Sequence, residues 1–274
     1  IFDRYEHKGI LQLIYYDNIA RYVDQHGGAL LIAAGSDYAN SFSIYRTPLS
    51  SVLPGAPSGR VIETPFKAKV TAEGQRHPVT RDLPGGISAK LADASKEPSW
   101  GKWFRQAEVR LEHGRAVMNG AEDKPLLILD RKGKGRVALL TSDHAWLWAR
   151  GFDGGGPHTD LLRRLSHWLM KEPDLEEERL IATSKGLKLT LERRSMSDKV
   201  GPVKLLGPGG ETSDVSFEET TAEPGVWRAS VDVKMPGLYK AETAGPFGTL
   251  PAVTNAGVED PREMSEVTAT TDRM

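Results

Sequence analysis

The sequence predicts an α/β domain on a buried, mostly parallel sheet, followed by a small all-β sandwich. Three observations predict it. Ala29-Leu30-Leu31-Ile32-Ala33-Ala34 is an apolar run preceded by a helix-period segment and Gly27-Gly28, the form of a strand buried on both faces. A second helix-period segment follows the glycine-rich stretch 151–157, with Leu161, Leu162, Leu165, Trp168 and Leu169 on one face. From Leu187 onward the apolar period drops to two, with Gly-Pro punctuation. The expected boundaries are 1–173 for the α/β domain, 174–250 for the sandwich, and 251–274 for a tail or the start of a further segment. The break falls in the acidic stretch 174–178.

The elements follow in order. Residues 11–25 read as a helix with Leu11, Ile14, Tyr15, Tyr22 and Val23 on one face, stopped by Gly27-Gly28. Ile1-Phe2 reads as the end of the strand before it. Thr47-Pro48 reads as N-cap and first position of a short helix ending near Leu53-Pro54. Residues 60–63 and 66–70 alternate as strands split by Pro65, and 84–100 reads as a surface loop. Residues 125–130 and 136–141 are strands around Arg131-Lys132-Gly133-Lys134-Gly135, a hairpin turn. In the second domain Leu187, Leu189 and Leu191 alternate with polar residues, and 203–206, 215–217, 226–233 and 238–242 are further short strands.

Composition sets outer limits. The chain has 274 residues and a formal net charge of -1, with 39% apolar and 27% charged residues, enough for two domains with cores. Balanced charge gives no reason to expect a nucleic-acid or anionic-membrane surface. Cysteine is absent, which removes disulfides, thiolate metal sites and thiol catalysis together. No run reaches the roughly 18 apolar residues of a membrane-spanning helix. The chain opens at Ile1 inside a strand and closes in a polar tail. We read it as a piece of a longer protein, so missing targeting signals exclude little.

Four segments carry candidate chemistry. Ser36, in Ala34-Gly35-Ser36-Asp37, follows the buried strand, where open α/β folds expose reactive groups; capping the next helix or turn is the commoner use of residues such as Ser36 and Asp37. Asp143-His144 follows strand 136–141, so His144 is a candidate base with Asp143 beside it. Trp146 and Trp148 either wall a ligand pocket or pack under the glycine loop. His77, in His77-Pro78-Val79-Thr80, is a ligand candidate or an extended-backbone residue fixed by Pro78. Gly151 to Gly156, entering a helix, could hold an anion but lacks GxGxxG and a Walker lysine. The seven histidines form no HExxH motif, and Asp153, His158 and Asp160 read as an exposed polar loop, so no metal is expected. Glu176-Glu177-Glu178 reads as a solvated linker face.

Tyr22-Val23 with Gly27-Gly28-Ala29-Leu30-Leu31 resembles the helix-to-strand step of the class I glutamine amidotransferase-like superfamily, including its trehalose-utilisation (ThuA-like) branch. The segment His77-Pro78-Val79-Thr80 is similar to one in that branch. Gly135-Arg136-Val137 through Ser142-Asp143-His144 resembles the late strand that brings in the superfamily histidine. With Leu162-Arg163-Arg164 and His167 to Pro173, the pattern looks most like large proteobacterial membrane proteins in which such a domain sits among membrane spans. The resemblance covers about residues 1–173.

It implies a flavodoxin-like sheet for that domain; the sandwich expected after it, of immunoglobulin-like kind, follows from the short alternating strands. Members attack glutamine with a cysteine thiolate relayed by a histidine. Only His144 carries over, since no cysteine is present, so no glutaminase activity and no cofactor are expected. The resulting expectation is a non-catalytic binding or assembly module, a periplasm-facing soluble part of an inner-membrane protein. Its partners would be the rest of its own chain and a small-molecule or protein ligand, not nucleic acid. The rival reading is a hydrolase or transferase using Ser36 or an activated water, with His144 as base and Asp143 or Asp37 orienting it. A third makes the sandwich a carbohydrate- or protein-binding module with Trp227 and Tyr239 exposed, although alternation puts Trp227, Ala229 and Val231 on one core-facing side.

Overall fold

Alternation along the strands decides the layering of the first unit. The computed structural model describes residues 1–87, 97–220 and 223–257, and the chain divides into two compact units, Ile1–Glu176 and Glu177–Met274. In the first, β1 (Phe2–Asp3), α1 (Leu13–His26), β2 (Ala29–Ala33), β3 (Gly55–Ile62), β4 (Lys69–Val70) and α2 (Ala72–Arg76) precede the strands β5 (Gln106–Leu111), β6 (Arg115–Asn119), β7 (Pro125–Lys132) and β8 (Gly135–Leu140). Two helices close it, α3 (Ala145–Ala149) and α4 (His158–Leu169). Six strands form one sheet in the order β1-β2-β8-β7-β6-β4. Strands β3 and β5 pair separately.

The sheet is mixed, which corrects the expectation of a mostly parallel one. β1, β2 and β8 run parallel, while β7, β6 and β4 extend it antiparallel. The reason is the glycine turn itself. Lys132 pairs with Gly135, so only Gly133 and Lys134 separate β7 from β8, far too short for a parallel crossover.

On β8, Val137 and Leu139 join one core, with α1, and Ala138 and Leu140 join another, with α4. Helices therefore cover both faces of the sheet. The α4 stripe is as expected: Leu161, Leu165, Trp168 and Leu169 are buried and Leu162 half-buried. The α1 stripe is not. Tyr16, Ala20 and Val23 are buried, while Ile14, Tyr15 and Tyr22 are each more than half exposed. Tyr16 can turn inward because its hydroxyl bonds Tyr5 Oη (2.9 Å) and His7 Nδ1 (3.1 Å). Tyr22 instead lies over Gly28, where any Cβ would meet its ring. Gly27 ends α1 in the left-handed conformation (φ 77°).

Thr47 caps the short 3-10 turn Pro48–Ser51, its Oγ1 accepting from Leu49 N. Phe66 pairs with Trp103 as an isolated bridge rather than opening a strand. Of the loop expected at 84–100, residues 88–96 lie outside the described residues, and Trp100 is buried, not on the surface.

The second unit holds two four-stranded antiparallel sheets. Its strands are β9 (Arg179–Lys185), β10 (Lys188–Arg194), β11 (Val203–Leu206), β12 (Thr212–Val215), β13 (Glu218–Glu219), β14 (Val226–Asp232), β15 (Gly237–Gly245) and β16 (Gly248–Ala256). One sheet runs β13-β14-β10-β9, the other β12-β11-β15-β16. Leu189, Leu191 and Ala229 from the first share a core with Val203, Leu205, Tyr239 and Ala241 from the second, which makes a β-sandwich. Strand β16 runs past residue 250 to Ala256; from 258 the expected tail lies outside the described residues. Trp227 and Tyr239 are each 4% exposed, so neither offers the surface platform that a carbohydrate-binding reading needed.

The acidic run is also corrected. Glu176 bonds Arg131 (2.5 Å) and the buried Arg136. Glu178, itself buried, pairs with Arg193 and accepts from Ser195 Oγ (2.8 Å) and Met196 N (2.9 Å). Buried guanidiniums need counter-charges, and the run supplies them.

Candidate functional site

Three adjacent parallel strands, β1, β2 and β8, end at the same sheet edge, the position where open α/β sheets gather their ligands. The residues just past each strand end form the site. Arg4 follows β1, Gly35-Ser36-Asp37 follow β2, and Ser142-Asp143-His144 follow β8. Arg4 takes a left-handed backbone (φ 47°), strained for a residue with a Cβ.

Asp143 is the centre of this cluster. Its carboxylate is nearly buried and accepts from Arg105 twice, Nη2 to Oδ2 at 2.6 Å and Nε to Oδ1 at 3.3 Å. Arg4 Nε reaches the same Oδ2 at 3.2 Å. The bidentate fork fixes the carboxylate's plane, and bonding to Asp143 holds the Arg105 guanidinium above its usual range.

His144 lies beside it, Nε2 at 3.9 Å from Asp143 Oδ1. Its Nδ1 accepts from the Phe104 backbone N–H at 3.1 Å. That bond assigns the neutral ring's proton to Nε2. Protonating Nδ1 would set two donors against each other. Burial, the largest cause, pushes His144 below its ordinary value, and the two arginines add to this, while Asp143 acts the other way.

Ser36 and Asp37 open a 3-10 turn, Ser36–Ala39. Asp37 Oδ1 turns back to accept from Gly35 N (3.0 Å). Asp37 is buried, and this desolvation, with Asp143 adding a smaller push, raises its carboxyl above the usual range. Ser36 is exposed, and no hydrogen bond among the described residues joins it to His144.

The remaining sequence candidates part company. Trp146 is exposed at 54%, on α3 two residues past His144. Trp148 is buried, donates Nε1 to Gly101 O (2.9 Å), and packs against Trp103 with ring centroids 4.6 Å apart. A Cβ on Gly156 would run into the Trp148 ring, so the indole lies under the glycine loop and is no wall for a ligand. His77 is buried, accepts from Val79 N (3.2 Å) and sets its ring edge against Trp168 of α4 (5.6 Å). Asp153 accepts from Lys102 N (3.3 Å), and Asp160 pairs with Arg163 (2.7 Å). No three His, Asp or Glu side chains among the described residues are placed to hold a metal ion.

Sequence reasoning missed both arginines. Arg4 was within reach of the rule that pointed to Ser36 and His144, since it too ends a strand of this edge. Arg105 was not: it lies 38 residues from Asp143, ahead of β5, with no local pattern around it.

No family model matches the chain, and no curated protein matches it. Solved structures do. Two cytoplasmic proteins of Salmonella typhimurium are 21% and 20% identical, over 57% and 56% of this chain and 60% and 59% of theirs, each with a TM-score of 0.42. The chain thus spans about three-fifths of those relatives. The M1 domain of titin matches 31% of this chain and 94% of its own, with 16% identity and a TM-score of 0.21.

The edge cluster is, chemically, a set of donors around a held carboxylate. Arg4 and Arg105 pair with it, and the Nε2–H of His144, 3.9 Å from Asp143 Oδ1, is a further donor facing it. This suits recognition of an acceptor-rich ligand better than activation of a nucleophile.

Proposed function

We propose that the chain is a non-catalytic, class I glutamine amidotransferase-like module with a flavodoxin-like sheet, acting as a binding or assembly part of a larger membrane-anchored protein. One observation carries the non-catalytic reading: the lone pair that His144 would need as a base already accepts the Phe104 N–H. The absent cysteine supports it, as does the double arginine clamp on Asp143, which engages the carboxylate that would otherwise orient the ring. The family, the membrane anchor and the periplasmic side rest on the sequence resemblance alone. No helix among the described residues is long and apolar enough to cross a membrane. The ligand expected at the sheet edge is a small acceptor-rich molecule or a protein loop.

The rival reading, a hydrolase or transferase with Ser36 or water as nucleophile and His144 as base, draws on the convergence of Ser36, Asp37, Asp143 and His144 at one edge. The two separate on activity. The purified chain is assayed on glutamine and on ester, amide and glycoside substrates beside His144→Ala, with folding checked by circular dichroism. The module reading expects no turnover in either protein. Turnover in wild type that disappears in the folded variant would overturn it.

A further inference from the structure

The second unit carries a cavity that the proposed function does not use. About 500 Å³ opens between the β11–β12 turn and the segment joining β14 to β15, so both sheets line it. Leu205 and Tyr239 are buried at its base, and Val231 and Val233 add apolar wall. Tyr239 Oη donates to Met235 O (2.9 Å), which satisfies the phenol and leaves the ring as an apolar surface. This size falls within the few hundred to 1,000 Å³ typical of small-molecule sites.

The mouth is charged. Glu211, Asp232 and Lys234 border it, two carboxylates against one ammonium. None forms an ion pair with a described residue. Glu211 is folded across the turn: a Cβ at Gly209 would lie 2.7 Å from Glu211 Oε2 and 3.1 Å from Met235 Cε, and one at Gly207 would lie 3.1 Å from the Tyr239 ring. Carboxylate, thioether and aromatic ring thus converge on one turn.

We propose that this cavity binds a small primary amine with an apolar body, an arylalkyl- or alkyl-ammonium. Its hydrocarbon part lies against Tyr239, Leu205 and Val231, and its ammonium meets Glu211, with Asp232 tipping the mouth further toward cations. The inference rests on the sandwich alone and is independent of the amidotransferase-like reading.

The test titrates the full chain with 2-phenylethylammonium, 3-phenylpropan-1-ol and 3-phenylpropanoate, similar bodies with three different charges, while methyl NMR shifts of Leu205, Val231 and Val233 are recorded. The expected order is amine, then alcohol, then acid. Glu211→Gln lowers amine affinity roughly tenfold, and Ser213→Trp, on the exposed rim, abolishes it while leaving the urea midpoint near wild type. An affinity for the acid equal to that for the amine would overturn the proposal. So would absence of saturable shifts, an unchanged preference in Glu211→Gln, or wild-type binding by a folded Ser213→Trp.

Discussion

The two units each hold a buried carboxylate against guanidinium groups, and the pairs differ in their access to water. In the sandwich, Arg193 and Glu178 are 2% and 6% exposed at their side chains, and Glu178 takes two further hydrogen bonds. At the sheet edge, Asp143 is 4% exposed, but its partners Arg105 and Arg4 are 25% and 59% exposed. A pair with both members dry has no solvent to fall back on when broken, whereas arginines that reach water can turn from their carboxylate to an acceptor-rich ligand. The first arrangement suits a structural joint, the second a recognition site.

The sharpest way to break the comparison is to remove one member of each pair and compare urea unfolding. Glu178→Ala strands Arg193 in the core and is expected to cost about 3–5 kcal/mol, while replacing both partners by Leu and Met is expected to recover only part of that, because Ser195 Oγ and Met196 N still lose their acceptor. Asp143→Asn leaves two arginines that water can reach, so its cost is expected to be smaller, about 1–3 kcal/mol. Equal losses would erase the distinction between joint and site.

A finer probe uses His144. Its folded value lies below 6.5, so the unfolded chain binds the extra proton first, and stability falls as pH drops through 6.5 toward the folded value. His144→Asn keeps an acceptor near Phe104 N but does not titrate; it is expected to stay within about 1 kcal/mol of wild type and to lose that slope. Asp37 has the opposite sign. Its folded value lies above 3.8, so its contribution is full below 3.8 and is lost as pH rises through the folded value. Asp37→Asn, still able to accept from Gly35 N, is expected to be slightly more stable than wild type at pH 7, by less than about 1 kcal/mol, with the gap closing by acid pH. A gap that widens on acidification would reverse the assignment.

These charged groups also mark where the sequence was legible. Strong local patterns survived into the structure: the α4 stripe, the glycine hairpin of β7 and β8, the Thr47-Pro48 cap and strand β11 all stand where periodicity and turn chemistry put them. Strand β9, with only Leu180 fully buried, carried too weak an alternation to be read. On α1 the apolar stripe misled, because three tyrosines suit either face and hydroxyl partners at Tyr5 and His7 chose Tyr16. The site itself was half legible. Residues at strand ends follow from sheet geometry, as His144 and Ser36 do, whereas Arg105 and the buried role of Glu178 depend on partners 38 and 15 residues distant. A charge in sequence has no burial of its own; the fold assigns it.

The left-handed backbone at Arg4 has a consequence for the margin of the sheet. Arg4 N still donates to Ala33 O of β2 (2.9 Å), so the chain bends while it is held to its neighbour. A glycine would adopt that bend without strain but would carry no guanidinium there. The residue thus gives up backbone comfort so that a cation stands where the parallel strands end.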